Sequence, residues 1–293
     1  MASPGFEAPS ASRWPASRIL ARFILHRSRR LNDLLSALLL GIIEGLTEFL
    51  PISSTGHLLI AEHWLGRRSD LFNITIQAGA IVAVSLVYRQ RLWALATGWR
   101  EPAQRDYAFK LVGAFLVTAV LGLIAKLAGV ELPDSVLPVA AALLIGGIAI
   151  LAIERHGERF QAATEITWRV ALVVGAAQVI AGVFPGTSRS AAAIFAALLA
   201  GIGNRPAATE FAFLVGIPTM FAATGYELLR YFLKGGSGEA WGDLGIAFVA
   251  ATLTGFIAVR WLLGYVKSHR FTAFAWYRIV LGLVLIGLLY PGD

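Results

Sequence analysis

The chain has 293 residues, of which 57% are hydrophobic and only 15% charged, with a mean hydropathy of +0.69. Soluble domains carry roughly 45–50% apolar and about 25% charged residues, so this composition excludes a soluble fold and leaves room for about six to eight spans of about 20 residues. The absence of cysteine excludes disulfides and thiolate metal sites. The net charge of +7 sits in short loops between apolar runs, which is the pattern of a membrane protein rather than of a nucleic-acid binder.

Residues 1–30 are rich in Ala, Ser, Pro and Arg (Arg13, Arg18, Arg22, Arg27, Arg29, Arg30) and lack the apolar core of a secretory signal. They read as a basic tail, either disordered or lying as a helix on the membrane surface, or as the product of a start codon placed too far upstream. Residues 31–293 form a single polytopic membrane domain. A helix capped near Asn32-Asp33 is expected to run to about Leu50, where Pro51 and Ser53-Ser54-Thr55-Gly56 interrupt it. A second apolar piece, His57–Leu65, follows. Two half-length pieces around a polar break suggest a re-entrant hairpin, which is tolerated at membrane depth only where protein buries it or water lines it.

Spans are then expected at about Phe72–Tyr88, Phe109–Gly129 and Val136–Ile153. A second broken pair begins at Arg169–Phe184, breaks at Pro185-Gly186-Thr187-Ser188-Arg189-Ser190 and resumes through Gly201. Further spans lie at about Phe211–Phe232, Leu244–Gly264 and Phe274–Tyr290. The fold class is therefore all-α, an integral membrane protein with about six transmembrane helices and two re-entrant broken-helix hairpins.

The order broken helix, span, span occurs twice, in repeats at about 31–129 and 169–264. Aligning Phe49-Leu50-Pro51-Ile52-Ser53-Ser54 with Val183-Phe184-Pro185-Gly186-Thr187-Ser188 places Glu44 over Gln178. An odd number of spans separates the units, so they insert with opposite polarity; such inverted repeats carry binding sites where their broken helices meet. Loops 89–108, 154–168, 202–210 and 265–274 hold most of the loop Lys and Arg and are expected to be cytoplasmic.

Glu44 and Glu48 are four residues apart, on one helix face within an apolar run. Ionisable groups in a membrane segment are functional by default, and two adjacent carboxylates call for a shared proton or a cation between them. Ser53-Ser54-Thr55-Gly56-His57 joins hydroxyls and an imidazole at a helix start, where free N–H groups favour an anion such as phosphate; the same hydroxyls also suit plain helix capping. Arg189 brings to the second break a fork of donors matched to phosphate oxygens. Carboxylates, hydroxyls, one His and one Arg together form an inventory for phosphoryl transfer. Glu210 is expected to pair with Arg205 or Arg189, and His63, His156 and His269 are expected in loops or at the interface.

Glu44-Gly45-Leu46-Thr47-Glu48-Phe49-Leu50-Pro51-Ile52-Ser53-Ser54-Thr55-Gly56-His57 and Pro185-Gly186-Thr187-Ser188-Arg189-Ser190 resemble the two motifs of the undecaprenyl-diphosphate phosphatase family, also called bacitracin-resistance proteins. The resemblance extends over most of residues 31–290. It implies hydrolysis of a polyprenyl diphosphate to the monophosphate carrier of cell-wall synthesis, an inverted-repeat fold, and a site facing the outer side of the bacterial cytoplasmic membrane. It also implies a divalent cation, Mg²⁺ or Ca²⁺, associated with Glu44 and Glu48. In the same terms Ser54 is the nucleophile, His57 its acid/base partner and Arg189 the phosphate clamp, with Ser53, Thr55, Ser188 and Ser190 around the substrate. Expected partners are the lipid diphosphate, membrane lipids and a second copy of the chain in a homodimer, with no nucleic acid. The family's second motif continues Gly-Ala-Thr where this chain has Ala191-Ala192-Ala193. A hydroxyl near the phosphate is then expected to be missing, so that Ala193→Thr raises activity modestly. A transporter or flippase of a phospholipid carrier is the competing reading, since it would share the repeats and the buried Arg.

Overall fold

In a computed structural model, residues 15–130, 135–156, 163–235 and 240–289 are described, with side chains from Leu31 to Gly287. All regular structure among them is helical. The helices are α1 (Pro15–Thr47), α2 (Ser54–Leu65), α3 (Asp70–Val87), α4 (Arg89–Thr97), α5 (Pro102–Leu127), α6 (Val136–His156), α7 (Trp168–Val183), α8 (Arg189–Ala200), α9 (Arg205–Leu233), α10 (Trp241–Tyr265) and α11 (Thr272–Leu289). Helices α3, α5, α6, α9 and α10 are long and apolar enough to cross a membrane, and α11 is a shorter apolar helix.

Side chains at the helix starts follow capping chemistry. Ser69, Thr167 and Asn204 accept hydrogen bonds from the backbone N–H groups of Phe72, Val170 and Ala207, opening α3, α7 and α9. Two boundaries differ from expectation. Helix α1 begins at Pro15, so helix passes through the expected border at residue 31. Helix α4 occupies part of the basic loop after α3, where its arginines hid the pattern of a short helix.

The packing interlocks the two halves. Helix α1 lies on α10, α7 lies on α5, and α3 meets α9. If α1, α2, α3 and α5 are matched with α7, α8, α9 and α10, the first two of these contacts are the same contact seen from opposite halves. Glycines make both close. A Cβ on Gly41 would stand 2.2 Å from the Ala247 carbonyl oxygen on α10, and one on Gly175 would stand 2.5 Å from the Ala114 carbonyl oxygen on α5.

Beyond that point the halves diverge. Thr252 on α10 donates to the Gly79 carbonyl on α3 at 2.9 Å, and a Cβ on Gly79 would come within 2.6 Å of the Phe248 carbonyl oxygen. This seam is sealed. The matching pair, α5 and α9, meets at its two ends, Tyr107 against Phe211 and Lys126 against Tyr226, and parts between them around a cavity of about 760 Å³ that α7 and both breaks also line.

Close approach at the α1–α10 contact predicts a sharp cost for added volume. A Cβ on Gly45 would fall 2.1 Å from Thr254 Oγ1 and 2.4 Å from the Ala251 carbonyl oxygen, whereas one on Gly225 meets nothing within 4 Å. Gly45→Ala should lose about 1–3 kcal/mol or more from overpacking, seen as a lower thermal midpoint in detergent. Gly225→Ala should show no such loss.

Candidate functional site

A helix broken at membrane depth strands backbone carbonyls that must find donors. Here α11 supplies them. Arg278 is fully buried, at 0% exposure. Its Nη1 donates to the Pro51 carbonyl at 3.3 Å, and its Nη2 donates to the Gly186 and Ala142 carbonyls, each at 3.1 Å. One guanidinium thus ties the first break, the second break and α6 together. Glycine is required beside it: a Cβ on Gly146 would lie 2.2 Å from Arg278 Nη2. Gly186 has a φ of +92° and would place a Cβ 2.5 Å from the Val139 carbonyl oxygen.

Each break ends on a strained serine. Ser53 (φ 71°) and Ser188 (φ 67°) are the non-glycine residues with positive φ among those described, a conformation that costs on the order of 1–3 kcal/mol. Both cap the helix that follows, Ser53 Oγ accepting from Gly56 N–H and Ser188 Oγ from Ala191 N–H. This shared geometry corrects the sequence alignment by one residue: Ser53 matches Ser188, and Ser54 matches Arg189. Ten residue steps separate Gln178 from Ser188, and nine separate Glu44 from Ser53.

The first residues of α2 and α8 then close on one carboxylate. Ser54 Oγ donates to Glu48 Oε2 at 2.5 Å, and Arg189 Nη2 donates to Glu48 Oε1 at 2.7 Å. The Glu48 side chain is 6% exposed and that of Arg189 27%. Ser190 Oγ donates to the Leu50 carbonyl at 3.1 Å and so fastens the second break to the first. Glu48, Ser53, Ser54, Thr55, Ser188 and Arg189 all line the cavity.

Three expected site residues stand outside its lining. Glu44 is 0% exposed, beside Glu48, and neither of its oxygens accepts a hydrogen bond from a protein group. Ser190 serves the tie between the breaks. His57 does not pair with Ser54. Its Nδ1 lies 2.7 Å from the Ser53 carbonyl oxygen and its Nε2 lies 2.7 Å from the Tyr277 hydroxyl. A carbonyl only accepts, so the proton is on Nδ1 and Nε2 receives the Tyr277 O–H. The two rings stack with centroids 5.5 Å apart. The helical register explains this: His57 is one turn into α2, so its ring returns to the Ser53 carbonyl while Ser54 faces Glu48.

Other expectations are redirected. Glu210 receives Arg91 at 3.2 Å, because Arg205 is held by the buried Glu154 at 2.6 Å and Arg189 by Glu48. Ala193 is 2% exposed in the hydrophobic core, and neither it nor Ala191 lines the cavity. A threonine hydroxyl at 193 would therefore enter apolar packing and not reach a phosphate. Tyr277 and Arg278 were overlooked inside an apolar span, although an arginine in a membrane segment is itself a signal.

These motifs lie within residues 37–284, which match the family described as bacitracin resistance protein BacA. The chain belongs to this family. A relative from Xanthomonas campestris pv. campestris (strain 8004), named undecaprenyl-diphosphatase, is 63% identical over 257 residues, covering 87% of this chain and 98% of its own length. A protein of the same name from Stenotrophomonas maltophilia (strain K279a) is 64% identical over 264 residues, covering 90% of this chain and 100% of its own length.

Whether this family member's residues suit a divalent cation turns on Glu44. Its two unpartnered, buried oxygens beside a second carboxylate are the environment a hard, oxygen-seeking cation satisfies. No cluster of three or more His, Asp or Glu side chains that could hold a metal occurs among the described residues. Glu44 and Glu48 are thus the pair that would hold a divalent cation, in place of the shared proton that otherwise separates two adjacent carboxylates.

Two substitutions separate chemistry from packing. Arg189→Ala removes the cationic partner of Glu48 and should lower turnover by on the order of 10²–10³, with Arg189→Lys intermediate because it keeps charge but loses the fork. Ala193→Thr should instead cost about 1–3 kcal/mol of stability from overpacking. Thermal midpoint and turnover measured on both proteins check the assignment.

Proposed function

We propose that this protein hydrolyses undecaprenyl diphosphate to undecaprenyl monophosphate and inorganic phosphate in the bacterial cytoplasmic membrane. The observation that carries the reading is Glu48, held at the cavity wall between a hydroxyl from one half of the fold and a guanidinium from the other. The names of the relatives point the same way.

In this reading each group has a task. Arg189 exchanges part of its contact with Glu48 for the terminal phosphate, whose charge it stabilises as it grows in the transition state. Glu48 is the proton acceptor within hydrogen-bond reach of Ser54, whether the nucleophile is the Ser54 oxygen or a water that occupies the same acceptor. The phosphoanhydride P–O bond breaks, its electron pair leaves with the prenyl monophosphate, and the nucleophile's proton passes to Glu48. His57, bonded on both nitrogens, holds the start of α2 against α11 through Tyr277. A divalent cation, Mg²⁺ or Ca²⁺, would be held by Glu44 and Glu48, and when bound it neutralises diphosphate charge and polarises the phosphorus.

The cavity reaches Lys126, Val130 and Tyr226, at the ends of α5 and α9 remote from the basic loops that contain Arg91 and Arg205. With those loops cytoplasmic, the site faces the outer side. Apolar lining such as Phe115, Leu123 and Val179 suits a prenyl chain approaching along α5 and α7. A carrier that merely moves a phospholipid across the membrane has no use for a serine hydroxyl aimed at a carboxylate.

Purified protein in detergent should release phosphate from undecaprenyl diphosphate. Excess EDTA should abolish release, Mg²⁺ or Ca²⁺ should restore it, and Glu48→Gln should be severely impaired. Full turnover in EDTA would remove the cation from the mechanism, and an inert natural protein would return the transporter reading.

A further inference from the structure

The two halves place different groups at matched positions. Glu44 on α1 has Gln178 on α7 as its counterpart, three residues beyond the matched Gly41 and Gly175, the one-residue offset arising only in the breaks; Gln178 is buried, at 3% exposure. Unlike Glu44, Gln178 lines the same cavity as Glu48, Ser54 and Arg189.

Its amide can point only one way. Thr118 on α5 donates its single hydroxyl hydrogen to backbone carbonyls, that of Gly175 at 2.8 Å and that of Ala114 at 3.0 Å. The Thr118 oxygen therefore turns only lone pairs toward Gln178, and Gln178 Nε2 donates to it at 3.4 Å. With the NH₂ end committed, Oε1 is the end left over, and it accepts no hydrogen bond from a protein group. The arrangement depends on Gly175, whose missing side chain lets α5 approach closely enough for Thr118 to reach across. A buried acceptor without a donor is costly, and the bond to Thr118 uses only the other end of the amide.

What donor fits? A diphosphate offers the site mainly acceptor oxygens, which an amide oxygen repels. The other reactant does carry donors: hydrolysis consumes one water, with two O–H groups. We propose that Gln178 is a water-positioning residue whose Oε1 takes one O–H of the attacking water while the second O–H faces Glu48. A lone pair on the water oxygen is thereby aimed at phosphorus. The water oxygen forms the new P–O bond and the bond from phosphorus to its leaving oxygen breaks. That oxygen takes the electron pair, one water proton goes to Glu48, and the other stays on the released phosphate. The assignment holds whether the phosphorus attacked is that of the substrate or of a phosphoserine on Ser54, since each route contains one attack by water; in the second, Glu48 returns to the leaving Ser54 oxygen the proton it took from it and accepts the water proton in its place. It rests on the hydrolytic reading above.

The test uses the difference between water and methanol, which has only one O–H. That group goes to the base, so Gln178 favours water alone. In the natural protein, turnover in buffer with methanol should yield mostly inorganic phosphate and little methyl phosphate. Gln178→Met keeps the side chain's length and removes the amide acceptor. It should lower kcat roughly tenfold to hundredfold with KM within about twofold, and raise the ratio of methyl phosphate to phosphate. Thr118→Val frees the amide to turn and should move the ratio in the same direction by less. This second variant decides the matter if Gln178→Met does not fold.

An unchanged ratio in a folded, active variant overturns the proposal. So does a rise in the Mg²⁺ concentration needed for half activity with the ratio unmoved, which would make the amide a cation ligand. If the natural protein releases no phosphate, the hydrolytic reading itself falls, a result separate from either.

Discussion

Interrupting a helix inside a bilayer exposes carbonyl groups where no solvent can satisfy them, and this fold interrupts two. The solution is a single cation placed between them. Arg278 arrives on α11, outside both repeats, and its guanidinium serves the Pro51, Gly186 and Ala142 carbonyls at once. Carbonyl dipoles suit a buried guanidinium because each accepts one of its several rigidly placed donors. With the two turns pinned at that point, the strained serine caps at Ser53 and Ser188 are held in register. The caps in turn fix the first residues of α2 and α8, and those residues, Ser54 and Arg189, grip Glu48. The chemistry is thus four steps removed from the interaction that positions it.

The two sets of helices make matched contacts and carry different groups at matched positions. At Ser54 and Arg189, matched positions hold a hydroxyl and a cation. At Glu44 and Gln178 they hold a carboxylate and an amide. The seams differ as well. Gly79 lets α3 lie against α10 with backbone contact, while α5 and α9 touch only toward their ends and part between them around the cavity.

Much of this was legible in the amino-acid order, because membrane spans and their interruptions are strong signals. The apolar runs, both broken helices, the Glu44 and Glu48 pair, and the bringing of hydroxyls and Arg189 to two breaks follow from hydropathy and from polar residues where none are tolerated casually, while the separate roles of Ser54 and Arg189 came from the family resemblance. The finer pairings did not follow. Aligning the breaks on Pro51 and Pro185 was a residue out, because the serine caps and not the prolines share a conformation. His57 looked like a partner for Ser54 three residues earlier, yet the i to i−4 carbonyl of Ser53 captures its Nδ1. Tyr277 and Arg278 lay hidden in a terminal apolar run, where the hydropathy of their neighbours outweighed them. Glu210 was assigned to the wrong arginine because its partner, Arg91, comes from a loop region more than a hundred residues earlier. The tight core around Ala193 likewise becomes visible only once α8 is packed.

The grip on Glu48 also bears on how such a chain is made. During synthesis the first half emerges with its two carboxylates and Ser54 but without the arginine that completes the clamp. Arg189 follows only after α6 has been threaded into the membrane, and Arg278, which locks the two turns, is carried by α11, which emerges after both broken helices. A half-inserted polypeptide therefore lacks the Glu48 clamp, which closes only when both breaks have been brought together.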